Sequence, residues 1–173
     1  MRVLIVKTSS MGDVVHALPA LTDMQRNVPG LSVDWLVEAS FAAIPAWHPG
    51  MSRVLPLAWR KWRKKLGQKA TWQAMGALRH SLREQPYDLV LDLQGLLKSV
   101  LWGAQARGPL VGFDRHSIRE PMASMFYTRR YAVPRQMHAV ERSRRLAAAA
   151  LGYAMPDTPP DFGIQPGTQN PTW

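Results

Sequence analysis

Residues 2–21 read RVLIVKTSSMGDVVHALPAL, and this stretch decides the fold. The run at residues 2–7 is short, apolar and rich in β-branched side chains, as a buried strand requires. From residue 12 to residue 28 the periodicity changes. Val14, Leu18, Leu21 and Val28, with Val15 and Met24 alongside, recur at helical spacing. Pro19 lies inside that pattern and is expected to kink the helix. Strand, tight loop and helix together open a β-α-β unit.

The same alternation continues along the chain. Strands are expected at 32–37 (SVDWLV), 53–57 (RVLPL, weakened by Pro56), 88–93 (DLVLDL), 110–113 and 130–133. Helices are expected at 41–47, 69–84, 95–107, in part of 119–130, and at 137–151, where Gly152 supplies a C-terminal stop. Strands alternating with helices imply an α/β domain, a Rossmann-like parallel sheet with flanking helices and right-handed crossovers. No internal repeat is found. Residues 1–153 read as one domain. Residues 154–173 contain five prolines and two glycines after residue 155, and read as a linker or frayed end.

Composition narrows the function classes. Hydrophobic residues make up 46% of the 173, enough to build a core. Cysteine is absent, so neither a disulfide framework nor a thiolate metal site is available. No apolar run is long enough to span a bilayer, and the N-terminus lacks the pattern of a secretory signal. A cytoplasmic protein is therefore expected. The net charge of +10 points to a polyanionic partner: a nucleic acid, an anionic membrane face or a phosphorylated ligand. Arg60, Lys61, Arg63, Lys64 and Lys65 fall within six residues. Such a run by itself reads as a solvated basic face sooner than as a binding site. A nucleic-acid-binding module is the alternative this charge raises, though no recognition motif accompanies it.

The loop at residues 8–12 would lie at the carboxyl end of the first strand, where open α/β sheets bind ligands. Its hydroxyls and N–H groups open onto a helix N-terminus that favours anions. Only Gly12 is a glycine there, so it is neither G-x-G-x-x-G nor a P-loop. Asp13 falls in the first helical turn. Taken alone, it reads first as an acidic residue complementing the helix dipole, with a general base aimed into the cleft as the alternative.

The segment MRVLIVKTSSMGDVVHALPALTD resembles the opening of the ADP-heptose-dependent lipopolysaccharide heptosyltransferases, glycosyltransferase family 9. The likeness continues in order through VDWLVEASFAAIPAWHP, RKWRK, DLVLDLQGLLKS, REPMASMFYTRRY and HAVERSRRLAAAALGY. It covers the chain from Met1 to about Tyr153. It implies the N-terminal, acceptor-binding half of a GT-B glycosyltransferase. The reaction implied moves L-glycero-D-manno-heptose from ADP-heptose to lipid A modified with Kdo, an eight-carbon sugar acid. It inverts the anomeric centre and uses no metal or cofactor. RKWRK and REPMASMFY favour the branch that adds the first heptose over the branch that adds the second.

On this resemblance Asp13 is the catalytic base. Arg60, Arg63, Lys64 and Arg119, with Ser10 and Gly12, are implied to bind the anionic acceptor, the four cations converging beside the first loop. The Asp13 carboxylate is expected to point into the cleft and not back onto its own helix. Trp59 and Trp62 would pack the basic segment or rest near a lipid interface. Lys7, Gln94 and His138 are further cleft candidates. A sheet-edge cap for Lys7 and a strand-end brace for Gln94 are equally consistent, and a structural place is favoured for His138. Glu141 and Arg142 would form local pairs. The donor-binding domain of such a fold is not found in this sequence, so the fragment alone is expected to be inactive, with ADP-heptose held by the missing half. Expected partners are Kdo-lipid A and the anionic cytoplasmic face of a Gram-negative inner membrane, not nucleic acid.

Overall fold

The apolar runs assemble edge to edge. A computed structural model describes residues 1–164, in which six parallel strands form one sheet in the order β3-β2-β1-β4-β5-β6. The strands are β1 (Arg2–Val6), β2 (Ser32–Glu38), β3 (Met51–Leu57), β4 (Leu89–Asp92), β5 (Leu110–Phe113) and β6 (Arg129–Tyr131). The helices are α1 (Met11–Asn27), α2 (Ala43–Ala46), α3 (Trp59–Trp62), α4 (Lys69–Arg83), α5 (Leu97–Gly103) and α6 (Ala139–Leu151), with 3-10 turns at Ala39–Phe41 and Pro121–Phe126.

β1 and β4 are central, and Val3 to Val6 and Leu89 to Leu91 are almost wholly buried. A strand covered on both faces needs a continuous apolar run, which these segments have. From β1 the chain moves toward β3, and from β4 it moves toward β6. Right-handed crossovers therefore place α1 and α5 on opposite faces. The strand order reverses between β1 and β4, and a crevice opens there at their carboxyl ends.

Several boundaries differ from the sequence reading. β3 starts at Met51, two residues before the expected start. Its Pro56 is tolerated because β3 is an edge strand, free of a neighbour on one side. Helix α1 runs unbroken through Pro19. Helix α5 is shorter than expected. Gly95 has φ of 69° and Leu96 is extended, so the helix begins only at Leu97. β6 lies one residue earlier than expected and is shorter. The short α3 was not anticipated. It forms because Trp62 is buried and packs with Trp59 around Trp102 of α5. The tryptophans thus pack the segment.

The segment after α6 also departs from the expected frayed end. Arg144 is buried with Asp23 of α1, its Nε donating to Oδ2 at 2.6 Å. The same guanidinium donates to the carbonyls of Thr158 (3.0 Å) and Pro156 (3.4 Å). Further on, Arg26 pairs with Asp161 and Phe162 packs against the core. Residues 154–164 therefore lie along α1. Residues 165–173, the rest of the expected linker, lie outside the described residues. Among the described residues no helix is long and apolar enough to cross a membrane.

Candidate functional site

The crevice between β1 and β4 is built by a loop held from both sides. On one side, the Glu38 N–H donates to the Thr8 carbonyl (3.0 Å), and the Trp35 indole N–H donates to the Lys7 carbonyl (3.1 Å). On the other, Gln94 at the end of β4 accepts from the Thr8 N–H (3.0 Å) and the Ser9 N–H (3.1 Å) with one side-chain oxygen. Gln94 is thus a brace for the loop and also lines the cavity beside it. The Ser9–Ser10 peptide is cis.

Asp92 anchors the floor. It is fully buried and accepts from Gln94 N–H (2.8 Å), Gly95 N–H (3.2 Å), Ser99 Oγ (2.8 Å) and Tyr127 Oη (2.8 Å). Burial raises its proton affinity, and these four donors oppose that by stabilising the carboxylate. Two glycines permit the packing above it. A side chain at Gly95 would meet Ile118 at 2.9 Å, and one at Gly112 would meet the Tyr127 ring at 2.5 Å.

A polar cavity of about 110 Å³ opens at this point. It is lined by Lys7, Asp13, Gln94, Arg119 and Arg142, with Leu93, Phe113, Ala139 and Ser143 completing the wall. Lys7 is buried, and its ammonium donates to the Leu93 carbonyl at 2.9 Å. Burial lowers its pKa; Asp13 and Asp92 oppose that shift, while Arg142 and Arg119 add to it. Lys7 is therefore neither a simple edge cap nor in a direct ion pair.

Asp13 departs from expectation. Its Oδ2 folds back to accept from the Ser10 N–H (2.8 Å) and Ser10 Oγ (3.1 Å). The physical reason is the unpaired N–H groups at the start of α1, which an acidic residue in the first turn satisfies. Half-buried Asp13 nevertheless lines the cavity, so the helix-capping and cleft-facing readings describe one side chain with two oxygens.

The four expected cations do not share a single pocket. Arg119 reaches the cavity with Asp13. Arg60 and Arg63 lie on the other flank of the loop, around Lys98, whose ammonium donates to Ser9 Oγ at 2.6 Å. Burial lowers the Lys98 pKa, Arg60 and Arg63 lower it further, and Glu38 and Glu120 oppose the shift. Arg60 stacks on Phe41 with 5.3 Å from guanidinium to ring, and its N–H is held by Glu38 at 3.1 Å. Lys64 is exposed and makes no side-chain hydrogen bond or ion pair among the described residues. Gly12 is exposed at the head of α1, with open space around it.

His138 caps α6, accepting weakly from the Val140 N–H, and meets His16 edge to face at 5.2 Å. The expected Glu141–Arg142 pair does not form. Glu141 pairs instead with Arg144, one turn away at 3.1 Å, because residues three apart share a helix face whereas neighbours do not. Arg142 and Lys98 were missed as site residues by the sequence reading. Neither carries a local motif, and only the closed sheet brings them to the loop. Among the described residues no group of three His, Asp or Glu side chains is disposed to hold a metal ion.

The model of the glycosyltransferase family 9 (heptosyltransferase) proteins matches residues 75–172, more than half of the chain. The chain belongs to this family. It is 53% identical over 166 residues to lipopolysaccharide heptosyltransferase 1 of Pseudomonas aeruginosa, covering 95% of this chain and 46% of that protein. Against lipopolysaccharide heptosyltransferase 1 of Escherichia coli K12 the identity is 50%, over 95% of this chain and 52% of the relative. The chain thus spans about half the length of these relatives. A solved E. coli heptosyltransferase WaaC with ADP-2-deoxy-2-fluoro heptose superposes with a TM-score of 0.92 over 95% of this chain and 52% of that one, at 50% identity. The E. coli ADP-heptose heptosyltransferase II structure shares only the fold, with a TM-score of 0.63 and 22% identity.

Proposed function

We propose that the crevice is the acceptor site of a heptosyl transfer from ADP-heptose to Kdo-modified lipid A. The observation that carries this reading is the placement of Asp13 in one cavity with Lys7 and Arg119, at the point where open α/β sheets bind ligands. Asp13 takes the proton from the attacking acceptor hydroxyl. That oxygen bonds to the anomeric carbon of the heptose with inversion, and the bond to ADP breaks, releasing ADP as leaving group. Lys7 and Arg119 compensate the anionic acceptor. Arg60, Arg63 and Lys64, beyond the loop, meet acceptor charge farther out. The nucleotide is assigned to the half of the relatives that this chain does not span. Transfer of the first heptose is favoured over the second because the relatives at 50–53% identity are type 1 enzymes.

Titration of the 173-residue chain with deacylated Kdo-lipid A is the test. Saturable binding that Arg119→Ala weakens about 10–150-fold is expected, the loss of one charge-assisted contact of roughly 1.5–3 kcal/mol. Tight binding of ADP-heptose with none of the acceptor would overturn the assignment.

The same reading places the protein at the cytoplasmic face of an anionic inner membrane. Support comes from the 3-10 turn after Arg119, where Met122, Met125 and Phe126 are exposed beside exposed Arg115, Arg129 and Arg130. Apolar tips among cations suit an anionic bilayer surface. Sedimentation with phosphatidylglycerol-containing vesicles should carry the chain down, and a Met125→Ser/Phe126→Ser variant should stay in the supernatant. Equal sedimentation of both would remove this surface from the reading.

A further inference from the structure

We infer that Arg142 is a ligand-binding arm of the cavity it lines together with Arg119, and that the two grip a carboxylate of the bound sugar acid. This deepens the acceptor reading and rests on it.

Arg142 sits at the second turn of α6, where a neighbouring glutamate offers a partner that it does not take. Its guanidinium lies instead over the Phe113 ring, 4.7 Å from the centroid. One terminal nitrogen, Nη2, donates to the Ser117 carbonyl. Its Nε is buried and finds no acceptor. A guanidinium fixed on a ring face, with an N–H shielded from water and unpaired, costs free energy until an acceptor arrives. The cavity it lines holds three cations, Lys7, Arg119 and Arg142, against the one carboxylate of Asp13. That excess of positive charge is not neutralised by any acidic side chain in the wall.

The ligand that fits is a planar monoanion. A guanidinium held over an aromatic ring keeps its N–H groups for a ligand, and its planar fork matches the two oxygens of a carboxylate. Leu93, Phe113 and Ala139 narrow the cavity to about 110 Å³, room for a carboxylate and the adjoining sugar carbons, with the remainder at the mouth. Holding the carboxylate here fixes the sugar ring relative to Asp13, so Arg142 acts as a positioning residue.

The test compares wild type, Arg142→Gln, Arg142→Lys and Phe113→Leu by calorimetry. The probes are a Kdo methyl glycoside, its carboxyl-reduced counterpart, glucuronate and inorganic phosphate. Wild type should prefer the Kdo glycoside to its reduced form at least tenfold. Arg142→Gln should erase that preference while leaving the weak binding of the reduced sugar unchanged. Arg142→Lys should restore part of it, and Phe113→Leu, which loosens the guanidinium but preserves the core, should fall between. An Arg142→Gln protein that keeps the preference overturns the inference, as does equal loss of both sugars. If wild type binds glucuronate through Arg142 but not the Kdo glycoside, the clamp stands and the acceptor identity falls. Phosphate binding tighter than that of either acid, or binding of none of the four, would refute the carboxylate clamp.

Discussion

At the scale of single residues, the proposal gives Asp13 two tasks on one carboxylate, holding the Ser10 N–H at the start of α1 and taking the acceptor proton, and substitutions can separate them. Asp13→Asn keeps an oxygen for the Ser10 N–H but cannot accept a proton at neutral pH. Asp13→Ala loses both functions. On that proposal, a full-length enzyme carrying this sequence should lose turnover by roughly 10²–10⁴ in both variants. Only Asp13→Ala should also lose about 0.5–2 kcal/mol of stability. Initial rates with saturating substrates, set beside urea unfolding, distinguish these outcomes. Near-normal turnover in Asp13→Asn would leave the residue as a helix cap alone. Placing Asp13 beside Arg119 was within reach of the sequence, since the first loop and the later segment each carry motif residues. Arg142 and Lys98 were not within reach. Their proximity to the loop depends on how α6 and α5 return to the sheet, and spacing along the chain does not encode that.

At the scale of elements, helices α1 and α6 are joined by the buried Asp23–Arg144 pair, each side chain 2% exposed. Removing one partner strands the other charge away from water. Arg144→Met is therefore expected to cost about 3–5 kcal/mol in urea unfolding, whereas Asp23→Leu/Arg144→Met should recover much of that loss. A single variant that unfolds like wild type would mean that the pair is solvated in solution. The elements themselves were largely legible. Every expected strand has a counterpart, because β-branched runs bounded by turns have few alternatives. Their ends were less so. Gly95 in a left-handed conformation delays α5, and the edge position of β3 tolerates Pro56, both of which are properties of tertiary setting. The short α3 is held by tryptophans from two segments, so its local sequence reads only as a charge run.

At the scale of the whole molecule, the segment after α6 is fastened across α1, and His48 sits beneath it. The His48 Nδ1 accepts from the Gly50 N–H (3.0 Å), so Nε2 carries the proton and donates to Thr22 Oγ1 (2.9 Å). Burial lowers the pKa of this ring, outweighing the nearby Asp161. The folded state thus favours neutral histidine, and the unfolded chain takes up the proton first as pH falls. Stability attributable to this site is complete above the ordinary histidine value of about 6.5 and is lost below it, at a limiting slope of ~1.4 kcal/mol per pH unit. Unfolding at pH 7.5 and 5.5 should show this loss in wild type and a smaller one in His48→Gln; parallel losses would locate the titration elsewhere. The parallel order of the sheet was implied by alternation alone, but its packed C-terminal segment was masked by proline content. The sheet order also bears on how the chain is made. β1 pairs on one side with β2 and on the other with β4, whose register joins Val3 to Leu89. A ribosome adding roughly 5–20 residues per second needs on the order of 10 s to cover that interval. For that time the most apolar strand of the nascent protein has one edge open, and this is when a chaperone has most to protect.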